Sequence, residues 1–252
     1  MLQRAAACFL CVIVGCLTVL AQHPGAGPEF GYSGAEGPQA WGNLSPAYAA
    51  CKLGHAQSPI DIRATTKQSL PPIQFHYEDV PLRIVNNGHS IQVNYAPGSW
   101  ITVGDHRYDL RQFHFHHPSE EHINGKGFDL SLHLVHVDAA GKLAVVAVLL
   151  EGGSANEAVR RVFDNLPPTP GQEHGVAGIT INARAFLPPA LGYYTFEGSL
   201  TTPPCTEGVT WFVLKTPDEV STDEVAAFAK LYPKDARPIQ PAEGRKILES
   251  EF

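Results

Sequence analysis

From position 73 onward, short apolar-rich segments recur between turn residues. IQFHYE (73–78), LRIVNN (82–87), SIQVNYA (90–96) and SWITVG (99–104) carry β-branched and aromatic residues and predict strands. LRQFHFHH (110–117) and FDLSLHLVHVD (128–138) continue the series. KLAVVAVLLEG (142–152) is an unbroken apolar run, the pattern of a strand buried on both faces. GYYTFEGSL (192–200) and GVTWFVLK (208–215) repeat the strand pattern. Helical spacing occurs at two places. The segment 154–166 carries Val159, Val162, Phe163 and Leu166 behind a Ser154/Glu157 capping box. The segment 221–232 opens on Ser221 and Glu224 and stops at Pro233. Many strands with few helices predict an α+β fold. It is a single domain around a large, mainly antiparallel twisted β-sheet with a few peripheral helices.

The first residues follow a different pattern. One positive charge at Arg4 precedes an uncharged apolar run, 5–21, with Val19 and Ala21 placed for cleavage before Gln22. This predicts a signal peptide over 1–21 and a mature domain over 22–252, hence export to the periplasm or beyond the cell. The run is short for a membrane span. Ile13-Val14-Gly15-Cys16 also resembles a lipobox, but LTVLA is an odd start for a mature lipoprotein. Three of the five cysteines fall in this lead, leaving Cys51 and Cys205. In an exported domain that pair predicts one disulfide closing a long loop, with two buried thiols as the alternative. A formal net charge of −7 argues against nucleic-acid and anionic-membrane partners.

The candidate chemistry lies in QFHFHHPSEEH (112–122). On a strand, Gln112, His114 and His116 share one face and Phe113 and Phe115 the other. The two imidazoles are then about 6–7 Å apart and can reach one metal ion. His133 lies on the next long strand, with Ser131 and Val135 on its face, and completes a three-histidine set if the strands are neighbours. A cupin-like site is the rival: His114-x-His116, Glu120 and Gly127 match most of a first cupin motif and would put Glu120 on iron or manganese. Tyr108 stands where that motif expects glycine, and no second cupin motif surrounds His133. HExxH is absent, which disfavours a zincin protease.

Seven segments occur in order: QSPIDI (57–62), NNGH (86–89), QFHFH (112–116), PSE (118–120), LHLVH (132–136), SLTTPPC (199–205) and RPIQP (237–241). Together they resemble α-class carbonic anhydrases of the exported bacterial type, over roughly 32–245. The resemblance implies a zinc lyase that reversibly hydrates carbon dioxide to bicarbonate and a proton. Zn2+ would sit on His114, His116 and His133, and zinc-bound hydroxide would attack CO2. Thr201 would accept a hydrogen bond from the hydroxide and donate to Glu120, and Thr202 would help hold bicarbonate. His89 would shuttle protons, aided by Tyr32 and Asn87. Val135, Val145, Leu200, Val209 and Trp211 would wall the CO2 pocket. The same resemblance implies sulfonamide and small-anion inhibitors, allows a homodimer, and suggests cis bonds before Pro59 and Pro204.

One position departs from the family. A glutamate usually stands two residues before the third ligand, bonded to its other ring nitrogen; here Ser131 stands there. Gln112 keeps the matching place beside His114. Ser131 can substitute directly or through water, and the departure bears on zinc retention and rate more than on the reaction. A binding protein that has kept the scaffold without the activity is the alternative of a different class. It predicts a lost ligand, whereas all three histidines, Glu120 and Thr201 are present.

Overall fold

The computed structural model describes residues 29–252. The expected signal peptide and the Cys16 lipobox lie outside the described residues. The strands, in chain order, are β1 (Asp61–Ile62), β2 (Thr66–Gln68), β3 (Ile73–His76), β4 (Val80–Asn86), β5 (Ile91–Asn94), β6 (Trp100–Val103), β7 (His106–His116) and β8 (His122–Ile123). They continue as β9 (Leu130–Val137), β10 (Leu143–Gly152), β11 (His174–Ile181), β12 (Tyr193–Ser199), β13 (Glu207–Leu214), β14 (Asp218–Val220) and β15 (Leu248–Ser250). Four short helices flank them: α1 (Trp41–Leu44), α2 (Ala50–Leu53), α3 (Glu157–Phe163) and α4 (Thr222–Ala229).

One sheet dominates, in the order β11-β4-β5-β7-β9-β10-β13-β12-β15-β2. Most neighbours are antiparallel; β10–β13, β10–β14 and β15–β2 are parallel. The apolar run 142–152 becomes β10, and its alternation divides two cores. Ala144, Val146, Val148 and Leu150 face a core with Phe113, Phe115, Phe163 and Phe228. Val145, Ala147 and Leu149 face a second core with Ile60, Phe196, Val209 and Trp211. Full burial of each large apolar side chain stabilises by about 1.5–3 kcal/mol, so both faces of β10 hold it in place.

The two predicted helices form, with one cap corrected. Ser221 and Glu224 make the expected reciprocal capping box at α4. At α3 the cap is Asn156, whose carboxamide oxygen accepts from the amides of Ala158 and Val159. Ser154 instead donates its amide to Glu219, and Glu157 pairs with Arg160 and Arg161. Strand β11, in the glycine-bearing stretch HGVAGITI, was not expected; it pairs at the sheet edge with β4 through a register shift.

Cys51 and Cys205 are bonded across a sequence separation of 154 residues. In the chain-entropy model such a loop contributes about 5 kcal/mol. Buried Arg237 braces the same region, donating to the carbonyls of Cys51 and Ser58 and to Gln57 Oε1. Burial pushes its guanidinium down to about 10. The peptide bonds before Pro59 and Pro204 are cis, as the resemblance suggested, and so is the one before Pro118.

His136 points away from His133, into the larger core, where Tyr77 Oη meets its Nε2 at 2.8 Å. Burial lowers its pKa to about 3. The unfolded chain binds this proton near pH 6.5, so the folded state is disfavoured as pH falls from about 6.5 towards 3, by up to about 1.4 kcal/mol per pH unit. Urea unfolding at pH 7 and pH 5 should therefore show about 2 kcal/mol of acid destabilisation from this group. His136→Phe should flatten that difference, whatever its own stability. An unchanged pH 7-to-5 difference in the variant would contradict the assignment.

Candidate metal centre

The ladder builds the site row by row. Antiparallel pairing sets His114 directly opposite His133 and His116 opposite Ser131. One row runs Gln92, His114, His133, Ala147, Val213 across five strands. The next runs Gln112, Val135, Val145, Trp211, Phe196. Side chains on one sheet face share these rows, so the imidazoles lie beside Val135, Val145 and Trp211. The His133 and Trp211 rings meet edge-on, centroids 5.0 Å apart.

His114, His116 and His133 each offer one ring nitrogen, and these atoms lie within 4.8 Å of one another. Each ring's other nitrogen is engaged. His114 Nδ1 lies 2.8 Å from Gln112 Oε1, and His116 Nδ1 2.8 Å from the Asp235 carbonyl oxygen. His133 Nε2 lies 3.1 Å from Glu121 Oε2. All three partners accept and cannot donate. Each therefore takes an N–H, leaving a lone pair on His114 Nε2, His116 Nε2 and His133 Nδ1. His116 Nε2 is buried and has no hydrogen-bond partner. Burial, with His116 and His133 adjacent, holds His114 well below the ordinary imidazole range. Burial also pulls His116 down, but Glu120 and Asp235 outweigh it and its pKa is raised. Converging ring nitrogens, with His116 Nε2 buried and unpartnered, fit a divalent metal such as zinc.

Ser131 does not take the expected part. Its hydroxyl accepts the Glu120 amide at 3.2 Å, and Glu121 meets His133 instead. Nothing in the sequence marks Glu121, because an acid in a PSEEH turn ordinarily points to water; here it is 0% exposed. Asp235 carries no sequence signal either, since it orients His116 through its main-chain carbonyl. Burial pushes the Asp235 carboxyl up to about 7.

Buried Glu120 receives the Arg237 amide on Oε1 at 2.7 Å. Its Oε2 has no hydrogen-bond partner and lies 3.5 Å from His116 Nε2. Thr201 is buried, and Thr202 is partly exposed. Their loop is tied down at both ends. Trp211 Nε1 donates to the Ser199 carbonyl at 3.1 Å, and Ser199 Oγ accepts the Ser58 amide at 2.9 Å. The Leu200 amide donates to Thr206 O and the Cys205 amide to Thr202 O. Gly198 permits this approach: a Cβ there would fall 2.2 Å from Ser58 Oγ and 2.7 Å from Trp211. Val145, Val209 and Trp211 are buried, and Val135 and Leu200 partly so.

His89 stands in a turn held by Asn87, whose side-chain oxygen accepts the amides of His89 and Ser90. The His89 ring stacks on Phe30 at 3.8 Å between centroids. Partial burial lowers its pKa, against the pull of Glu29. Tyr32 packs edge-on against Phe30 and Trp41, its hydroxyl buried without a partner.

This open sheet, with three histidines on adjoining strands, is a candidate metal-binding scaffold rather than a cupin barrel. The eukaryotic-type carbonic anhydrase family model matches residues 36–251. The carbonic anhydrase of Nostoc sp. is 40% identical over 227 residues, covering 88% of this chain and 86% of the relative. That of Neisseria gonorrhoeae is 39% identical, covering 94% of each. A solved structure of the α-carbonic anhydrase from Thermovibrio ammonificans, in complex with the inhibitor sulfanilamide, superposes with a TM-score of 0.84 at 40% identity, covering 87% of this chain and 98% of that one. The chain belongs to the α-carbonic anhydrase family. No described helix is long and apolar enough to cross a membrane.

Proposed function

We propose that this chain reversibly hydrates carbon dioxide to bicarbonate and a proton, with Zn2+ held by His114, His116 and His133. The observation that carries the reading is the set of three lone pairs turned to one point by acceptors on the opposite ring nitrogens. When bound, zinc supplies the Lewis acidity that lets a water molecule ionise near neutral pH, a property for which carbonic anhydrases are themselves the reference case.

The remaining chemistry belongs to side chains. Glu120 has one oxygen spent on Arg237 and one available beside the metal site. The Thr201 hydroxyl can donate to that oxygen, which leaves its own lone pairs to accept from the nucleophile and so fix its orientation. Thr202 offers a second hydroxyl to bicarbonate. Val135, Val145, Leu200, Val209 and Trp211 make an apolar wall that suits a substrate without charge or dipole. The named inhibitor of the Thermovibrio relative supports sulfonamide binding here, and the Cys51–Cys205 bond supports export to an oxidising compartment. Zinc content of the purified chain tests the reading: about one zinc per chain, released by chelation with loss of CO2 hydration, is expected. Full hydration activity in metal-free protein would contradict it.

Each turnover releases a proton, and on this reading His89, whose imidazole titrates near neutrality when unperturbed, carries it. Stacking on Phe30 withdraws the ring from water and disfavours its protonated form. Phe30→Ala should therefore raise the His89 pKa towards its ordinary value of about 6.5, read from the ring protons by NMR titration. His89→Ala should lower turnover in weak buffer, with recovery on adding imidazole. A His89 pKa unmoved by the Phe30 substitution would contradict the burial account.

A further inference from the structure

We propose that Glu121 is the carboxylate that positions His133 for the metal, taking over the part that the family gives to the residue occupied here by Ser131. This rests on the reading that the three histidines hold zinc. Both Glu121 oxygens lie 3.1 Å from His133 Nε2. Glu121 is wholly buried, and among the described residues no lysine or arginine pairs with it. Its Oε1 has no hydrogen-bond partner.

A buried carboxylate facing only an imidazole is costly unless further positive charge lies near. A metal cation on the far side of that imidazole supplies such charge. Acceptance by Glu121 keeps the proton on Nε2 and the lone pair on Nδ1, and makes Nδ1 a stronger donor to the metal.

The geometry also explains how two positions exchanged parts. Ser131 sits opposite His116 in the ladder, and its short side chain leaves room for Glu121 to reach His133. The Ser131 hydroxyl is then free to take the Glu120 amide, which fixes the backbone between the two glutamates. Ser119 completes the brace, donating to the Glu121 carbonyl and accepting the Phe128 amide. One carboxylate thus reaches the same ring nitrogen from the turn after β7 instead of from β9.

The test is a zinc-competition titration with a chromophoric chelator, together with the rate of zinc release, on the full mature chain. Glu121→Ala should bind zinc about 10–100-fold more weakly than wild type and release it faster. Glu121→Gln, which keeps an acceptor in the same shape, should lose less. Adding Ser131→Glu to Glu121→Ala should restore much of the affinity, because it returns a carboxylate from the strand side. A folded Glu121→Ala variant with wild-type zinc affinity and release rate would overturn the proposal, as would a double variant no better than the alanine variant. If Glu121→Ala does not fold, Glu121→Gln is read instead: faster release supports the proposal, and an unchanged rate overturns it. Failure of the wild-type chain to take up zinc would overturn the three-histidine reading rather than the role of Glu121.

Discussion

Replacing His114 by alanine is expected to weaken zinc binding by about two to three orders of magnitude and to lower CO2 hydration at limiting zinc in proportion. Protein zinc sites are worth about 10–16 kcal/mol over four ligands, so one protein ligand carries on the order of 3–4 kcal/mol, and each 1.4 kcal/mol is tenfold. His114 has the clearest environment for the test. Its Nδ1 is bound to Gln112, its pKa is held low, and Phe113 and Phe115 on the other face anchor the strand in the larger core. The loss should therefore come from the metal and not from unfolding. Circular dichroism should be unchanged, and added zinc should no longer raise the melting temperature as it does for a chain that binds zinc only when folded. A variant that keeps wild-type zinc affinity would place the metal elsewhere, with the buried set Glu120, Glu121 and His133 as the alternative donors.

Glu120→Gln should keep zinc and lose catalysis. The glutamine oxygen can still accept the Arg237 amide that Glu120 Oε1 now receives. The other terminus becomes an NH2, which donates where Oε2 accepted. On the proposed relay the Thr201 hydroxyl would then meet a donor and no longer present a lone pair to the nucleophile. Loss of one such orienting hydrogen bond typically costs about 10²–10³ in kcat. Thr201→Ala removes the same link from its other end and should cost a similar factor. On the proposed relay the two substitutions would act on one chain of hydrogen bonds, so the double variant should be little worse than either single one. Losses that multiply would show that Glu120 and Thr201 act separately, and zinc loss in Glu120→Gln would favour Glu120 as a metal ligand.

The legible parts of this protein were those with a period. The run 142–152 announced a strand buried on both faces, and β10 divides the two cores residue by residue. Alternation in QFHFH separated two imidazoles from two phenylalanines, and the ladder keeps them on opposite faces. Pairing His133 with His114 needed strands to be neighbours, which strand patterns alone do not state; the family resemblance supplied it. The misread features are contacts without a period. Counting two residues back from His133 leads to Ser131, while the acid that reaches the ring comes from a turn. The Asp235 carbonyl could belong to any residue type. Phe30 on His89 joins parts of the chain that no local pattern connects. At α3, two good caps lay two residues apart, and the backbone turned at Asn156 because Glu219 and Glu224 hold the amides of Ser154 and Asn156.

The most direct test is a stopped-flow CO2 hydration assay on metal-free mature protein while zinc is added in fractions of an equivalent. The account predicts activity that rises linearly, breaks at one zinc per chain, and is abolished by sulfanilamide. Hydration that stays at the buffer rate with one zinc bound would contradict it and leave a carbonic anhydrase scaffold whose metal serves binding alone.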